Sequence, residues 1–181
     1  MPISIKEKYN KKAAEELMQK FGMKNRLQAP RITKAVINAG IGKFTKDKNQ
    51  IDEVKDSLRL ITGQAPLLTK AKQSISGFKI RQGMEVGMKV TLRGTRMWNF
   101  IEKLVGAAIP RIKDFRGLNP KNVDSKGNLN LGLREHLVFP EIVPEQVKNV
   151  FGFQVTIVTT AKNKEQGLEL FKALGFPIKN D

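Results

Sequence analysis

Cysteine is absent from this 181-residue chain, and histidine, tyrosine and tryptophan occur once each. Without cysteine there is no disulfide, no thiolate metal site and no thiol nucleophile. The single His136 sits between Glu135 and Leu137 with no nucleophile in view, so it reads as a surface or loop residue rather than a catalytic base. One histidine and no cysteine also leave zinc without a ligand set. No segment reaches the roughly 18 consecutive apolar residues of a spanning helix, which removes the membrane as a partner. The stretch Met1 to Asn10 lacks the apolar core of a signal peptide, and a cytoplasmic protein is expected. Acidic residues are scarce as well: 17 Asp and Glu stand against 33 Lys and Arg, a net charge of +16.

That imbalance contributes nothing to folding, because like charges oppose compaction, and it points to a polyanionic partner. It is also localised. Residues 134–181 hold six basic and six acidic residues, while residues 1–133 carry the other 27 basic and 11 acidic ones. Between Leu67 and Arg96 there are seven Lys or Arg and one acid, Glu85. The first part of that run, with Gly77 and Gly83, cannot easily hold a helix and reads as a mobile basic loop over about 70–83. The second part sets outward Lys89, Thr91 and Arg93 against inward Val90 and Leu92, the period of a half-buried strand. A basic loop feeding a basic-faced strand is an electrostatic footprint for phosphate.

Periodicity places the other elements. Ser4-Ile5-Lys6-Glu7 is a capping box opening a helix with Tyr9, Ala13, Leu17 and Phe21 on one face, ending near Gly22. A strand with Ile32, Val36 and Ile37 follows Pro30 and finishes at Asn38 to Gly42. Asp47 caps a second helix with Ile51, Val54, Leu58 and Ile61 inside and Gly63 as its stop. Leu67 to Lys70 and Val86 to Arg93 read as strands, and Thr95 as the cap of a third helix closed by Pro110. Residues 110–133 read as one long irregular loop carrying Arg111, Lys113, Arg116, Lys121 and Lys126. A last strand alternates Phe153, Val155, Ile157 and Thr159, and Asn163 caps a final helix that ends at Gly175. The expected fold is a single two-layer α+β domain spanning 1–181, a mainly antiparallel sheet with helices packed on one face and long basic loops.

Catalysis finds no constellation. Gly40-Ile41-Gly42 resembles part of a dinucleotide fingerprint, but Thr45 stands at the third glycine, and Gly42-Lys43 lacks the Ser or Thr of a phosphate-binding loop. Asp52 and Glu53 are adjacent on a helix and point apart. No cofactor and no metal are expected. Ten Phe fall mostly in apolar stripes, leaving few rings for stacking unpaired bases, and no DNA-reading motif is present. Shape recognition of folded RNA remains, with Asn38, Gln64, Thr69 and Thr91 at element ends suited to ribose and base edges.

An ordered set of motifs then matches across nearly the whole chain. It comprises Pro30-Arg31, Asn38-x-Gly40-x-Gly42, Gly63-Gln64-x-Pro66 and Thr69-Lys70-Ala71, followed by Gly77 to Gly83, Lys89 to Gly94 and Pro110 to Leu118. Phe139 to Ile142 and Thr159 to Lys162 complete it. With these the chain resembles bacterial large-subunit ribosomal protein five, the family that holds 5S ribosomal RNA in the central protuberance. The resemblance implies a non-enzymatic constituent of the large subunit with three surfaces. Asn38, Gly40, Gln64, Thr69, Lys70, Thr91 and Arg93 would contact 5S rRNA. Lys72, Ser74, Lys79, Arg81 and Gln82 would meet the peptidyl-site tRNA. Arg111, Lys113, Arg116 and Lys121 would bridge to small-subunit ribosomal protein thirteen. It further implies 23S rRNA and neighbouring 5S-binding proteins as partners, with the neutral C-terminal stretch as scaffold. Two departures stand out: Ala65 replaces the lysine common in Gly-Gln-Lys-Pro, and Leu129 replaces an aromatic after Gly127-Asn128. An RNA-modifying enzyme and a free RNA chaperone are the rival readings.

Overall fold

The computed structural model describes residues 4–44 and 47–179; Thr45, the missing third glycine of the fingerprint, lies outside them. Five strands form one sheet: β1 (Ile32–Gly40), β2 (Leu67–Lys70), β3 (Glu85–Leu92), β4 (Leu129–Leu133) and β5 (Phe153–Thr159). Their order is β2-β3-β1-β5-β4, and every pairing is antiparallel. Alternation assigns the two faces. Ile32, Ala35, Ile37 and Ala39 of β1 point inward with Met88, Val90 and Leu92 of β3 and Phe153, Val155 and Ile157 of β5. The buried stripes of the helices join them in one apolar cluster, which gives the expected two-layer α+β architecture.

The helices begin and end for identifiable reasons. α1 (Ile5–Lys8) starts where the Ser4 hydroxyl accepts the Glu7 N–H at 3.2 Å, passes through a π-helical turn at Tyr9–Ala13, and continues as α2 (Ala14–Phe21). α3 (Lys48–Thr62) is capped by Asp47, whose carboxylate accepts the Asn49 N–H at 2.9 Å, and stops at left-handed Gly63. α5 (Lys164–Leu174) is capped by Asn163 and stopped by left-handed Gly175. These boundaries follow the sequence reading. α4 (Gly94–Lys103) does not: extended Arg93 occupies the N-cap, and Gly94 turns the chain straight out of β3 at φ +59°, so Thr95 is already inside the helix. Beyond α4 the chain continues through a π-helical turn at Leu104–Ala108 and a 3-10 turn at Ile109–Arg111 that contains Pro110.

The loop expected over 110–133 also needs correction, because its last five residues are β4. Leu129, Leu131 and Leu133 bury against the core while Asn130 and Gly132 face out, the same alternation as in the longer strands. The rest of the segment is held at several points. The Leu118 N–H donates to Pro177 O at 2.7 Å and the Lys179 N–H to Leu118 O at 2.9 Å. Asp124 accepts from Lys126 N–H, Asn128 N–H and the Asn128 amide at 2.8–2.9 Å. Burial alone would push the Asp124 carboxyl up, but these donors outweigh it and hold the pKa below the usual value. Gly127 packs on Gly167 of α5 so closely that a Cβ on Gly167 would lie 2.5 Å from Gly127 Cα and 2.6 Å from its carbonyl oxygen.

His136 is in a loop but not on the surface. It lies in a 3-10 turn (His136–Val138), fully buried, its ring stacked on Phe151 with centroids 4.1 Å apart. The Phe151 N–H donates to Nδ1 at 3.4 Å, which leaves the proton on Nε2, a buried atom without a hydrogen-bond partner. The apolar surroundings were not visible in its charged sequence neighbours. They arise from Phe151, whose ring stacks on the imidazole and packs in turn against Phe153. Burial lowers the His136 pKa below its ordinary value, outweighing the opposite pull of the Phe151 backbone contact and of Glu53 and Glu135.

Two stability predictions result. Gly167→Ala drives a methyl into backbone and should cost on the order of 1–3 kcal/mol, read as a lower urea midpoint. A histidine whose folded pKa is depressed stabilises the fold above its unfolded pKa of about 6.5 and loses that contribution as pH falls toward the folded value. The urea midpoint should therefore drop as the pH is lowered through about 6.5, and His136→Phe should flatten that drop.

Candidate nucleic-acid interface

The face of the sheet opposite the helices presents exposed and half-exposed residues, and the pairing registers decide which side chains stand side by side there. Asn38 on β1 faces Lys89 on β3, and Lys89 faces Leu67 on β2. Val36 faces Thr91 one step along, and Gly40 faces Gly87, which in turn faces Thr69. Asn38 and Lys89 are exposed and Thr69 and Thr91 half-buried. Gln64 joins them from the α3–β2 connection. Left-handed Gly63 ends the helix, the Gln64 N–H donates to Thr62 Oγ1 at 3.3 Å, and the Gln64 amide reaches Thr91 O at 3.4 Å. Arg93, extended and exposed, continues the alternation of Lys89 and Thr91. Lys70 is exposed at the end of β2, after an irregularity in the ladder that sets it opposite Glu85. Asn38, Gly40, Gln64, Thr69 and Thr91, distant in sequence, thus gather on one surface with Lys89 among them.

This patch sets a cation among polar side chains with small neighbours on either side. A Cβ on Gly87 would meet Thr69 Oγ1 at 2.7 Å and Ala39 O at 3.3 Å, so Gly87 is a glycine because Thr69 crosses it. The result is a low surface able to accept a wide, shallow polar partner rather than a deep pocket for a small molecule.

The basic loop forms a narrow projection between β2 and β3. Ala71 N–H donates to Met84 O at 2.8 Å and Gly83 N–H to Ala71 O at 3.0 Å at its base. Ile75 and Ile80 pair further out, around a 3-10 turn at Ser76–Phe78 and left-handed Lys79 at φ +54°. The Ser74 hydroxyl accepts the Gln82 N–H at 2.9 Å. Lys72, Ser74, Lys79, Arg81 and Gln82 are all exposed on this projection, and Phe78 and Lys79 line a cavity together with Gly40 and Gly42 at the end of β1. The tip adds a residue the sequence reading overlooked: Phe78 is 75% exposed beside Ile75 at 47%. Its ring stands outside the apolar stripes, and its position between Gly77 and Lys79 was the available signal. Arg111, Lys113, Arg116 and Lys121 lie on the segment after α4, outside every sheet row, and all four are exposed.

Chemistry for catalysis is not assembled. Among the described residues no group of three or more His, Asp or Glu could hold a metal, and His136 is sealed in the core. Glu53, one of the two adjacent acids on α3, is a clasp. Its carboxylate accepts from Lys148 N–H at 2.8 Å, Asn149 N–H at 3.2 Å and the Asn149 amide at 2.6 Å, donors that outweigh its burial and lower its pKa. No described helix is long and apolar enough to cross a membrane.

Comparison with known proteins finds relatives over nearly the whole chain. Residues 25–81 match the family model described as Ribosomal protein L5, and residues 85–178 match the companion model for the C-terminus of the same ribosomal family. Large ribosomal subunit protein uL5 of Thermosipho melanesiensis is 52% identical over 177 residues, covering 98% of this chain and 97% of that protein. The uL5 of Kosmotoga olearia is 51% identical over 177 residues, with 98% and 97% covered. That of Lacticaseibacillus casei is 49% identical over 174 residues, with 96% and 97% covered.

Proposed function

Because the chain belongs to the ribosomal protein L5 family, and so is a structural, non-enzymatic constituent of the large ribosomal subunit in the cytoplasm, we propose that its open sheet face binds 5S rRNA. The observation that carries this reading is the register that sets Asn38 beside Lys89 and Val36 beside Thr91, with Gln64 held to Thr91. Lys89, Lys70 and Arg93 neutralise phosphates and release counterions, while Asn38, Gln64, Thr69 and Thr91 address ribose hydroxyls and base edges. Gly40 lets the RNA backbone come close, since nothing in the protein lies within 4 Å of a Cβ there.

The projection at about 70–83 has a different task in this reading. Its exposed Lys72, Lys79 and Arg81, with Ser74 and Gln82, reach the peptidyl-site tRNA. Exposed Phe78 supports a contact there that includes a stacked or apolar element. Arg111, Lys113, Arg116 and Lys121 serve an intersubunit bridge to small-subunit ribosomal protein thirteen. Contacts to 23S rRNA and to neighbouring 5S-binding proteins complete the set of partners.

Binding to 5S rRNA, measured beside tRNA and an unrelated hairpin across a salt series, tests the division of labour. A preference for 5S rRNA should survive at high salt. Lys89→Ala should reduce the slope of log affinity against log salt by roughly 0.7–0.9, and Asn38→Ala should weaken binding at all salts by about tenfold. The double variant Lys79→Ala, Arg81→Ala should leave 5S affinity within about twofold while weakening tRNA placement on reconstituted subunits. Abolition of 5S binding by that pair would refute the assignment, and equal affinity for all three RNAs would favour a free RNA chaperone.

A further inference from the structure

We infer that the loop 136–151 has an acid-released neck: protonation of buried His136 opens it while the sheet stays folded, and the opening takes down one wall of the cavity beneath the projection.

The loop leaves and returns at one point. The His136 N–H donates to Phe151 O at 3.0 Å, and the Phe151 N–H donates to His136 Nδ1 at 3.4 Å, so the same two residues close the neck in both directions. Between them lie only two short 3-10 turns, His136–Val138 and Pro144–Gln146. The rest of the loop is fastened elsewhere. Phe139 and Ile142 are buried in the core, Glu141 is paired with Lys103 of α4, and Glu53 of α3 accepts from Lys148 and Asn149. Closure of the neck itself falls to His136 and Phe151.

That closure depends on a neutral ring. His136 is fully buried, and among the described residues its Nε2 is the one buried side-chain nitrogen or oxygen without a hydrogen-bond partner. With the proton on Nε2, Nδ1 can accept from Phe151. A second proton turns Nδ1 into a donor, sets two N–H groups against each other and leaves an unpaired charge beside the Phe151 ring. Opening the neck relieves all of this by giving the ring to water. The charged groups that act on the ring are Glu53 of α3 and Glu135 beside it, both favouring the proton, and burial outweighs them. Among the other charges of the loop, Glu141 is held by Lys103, while Glu145 and Lys148 are exposed. β5 meets the neck through apolar Phe153.

The neck also faces the projection. Arg134, Val150, Phe151 and Gly152 line one side of a cavity of about 860 Å³, and Phe78, Lys79 and Ile80 line it from the projection. A Cβ on Gly152 would meet Leu133 O at 2.7 Å and Arg134 O at 2.8 Å, so Gly152 is held against the end of β4 and Phe151 is the part of the wall free to move.

Nuclear magnetic resonance on the full chain between about pH 7.5 and 5 tests this, because a single histidine gives one unambiguous ring signal. A ring with a depressed folded pKa favours the closed neck above about 6.5, and opening below that pH takes up one proton. Hydrogen-exchange protection of the His136 and Phe151 amides should therefore fall by up to about tenfold per pH unit, levelling off at the folded pKa. Ile37 and Val155 should stay more protected throughout, and the Phe78 ring signals should shift over the same range. His136→Gln keeps an acceptor for the Phe151 N–H without a titrating ring, so both readings should become flat. Protection lost at the neck only in step with Ile37 and Val155 would mean global unfolding and overturn the inference, as would a slope that persists in His136→Gln. Should that variant not fold, the native ring decides: titration at about 6.5 with the neck still protected shows that the proton enters without opening it. Phe78 signals indifferent to pH while the neck opens would overturn the link to the cavity.

Discussion

The register of β1 is the constraint on which the rest of the molecule depends. β1 is the central strand, paired on one side with β3 and on the other with β5, and its inward residues Ile32, Ala35, Ile37 and Ala39 lie at the heart of the core. A slip of one residue would exchange the two faces, burying Asn38 and exposing Ile37. Loss of the two buried isoleucines, each contributing about 1.5–3 kcal/mol, together with the smaller share of the two alanines, forbids such a slip. The core therefore specifies the interface: packing on one side of β1 is what aligns Lys89, Asn38 and Gln154 on the other.

Around that frame the work is divided by chemistry. Cations cluster on β2, β3 and the projection between them, where solvent and phosphate can both reach them. Amides and hydroxyls occupy the middle and the far side of the open sheet face, as Asn38, Gln154 and Asn130 do. Among the acids, two are clasps within the protein itself. Glu53 fastens the chain at Lys148 and Asn149, and Asp124 closes the turn before β4. Both are satisfied by hydrogen-bond donors rather than by paired cations, so their contribution survives at the ionic strengths that weaken the RNA contacts.

Strong periodic signals with proper caps were legible in advance, and weak ones were not. α3 and α5 followed from Asp47 and Asn163 at one end and Gly63 and Gly175 at the other, and the inward alternation of β5 was plain from Phe153 to Thr159. β4 was hidden because only five residues express its pattern, and Gly132 with Asn128 and Asn130 imitates a loop. Thr95 misled because it is a good cap in isolation, whereas Gly94 lets the preceding arginine take that position. The charged neighbours of His136 point outward to solvent in sequence terms, whereas its burial is a tertiary effect of Phe151. For the interface, residue types could be named, but their gathering on one face could not. Asn38 and Thr91 meet only through ladder pairing, and Gln64 joins them only through its amide contact to Thr91 O.

The strand order also imposes a timetable. β1 is made early, yet its neighbour β5 lies more than 110 residues later in the chain, and Leu118 is clasped by residues 177–179. At a synthesis rate of about 5–20 residues per second, β1 waits for its second partner on the order of ten seconds. Throughout that interval an apolar strand has one edge without its neighbour, and the sheet rows that lie across β1 and β5 do not exist. A nascent chain of this topology is thus unable to complete its sheet before synthesis is nearly finished. Contacts of high sequence separation couple the arrival of the last strand to the first moment at which the protein has a complete face to offer.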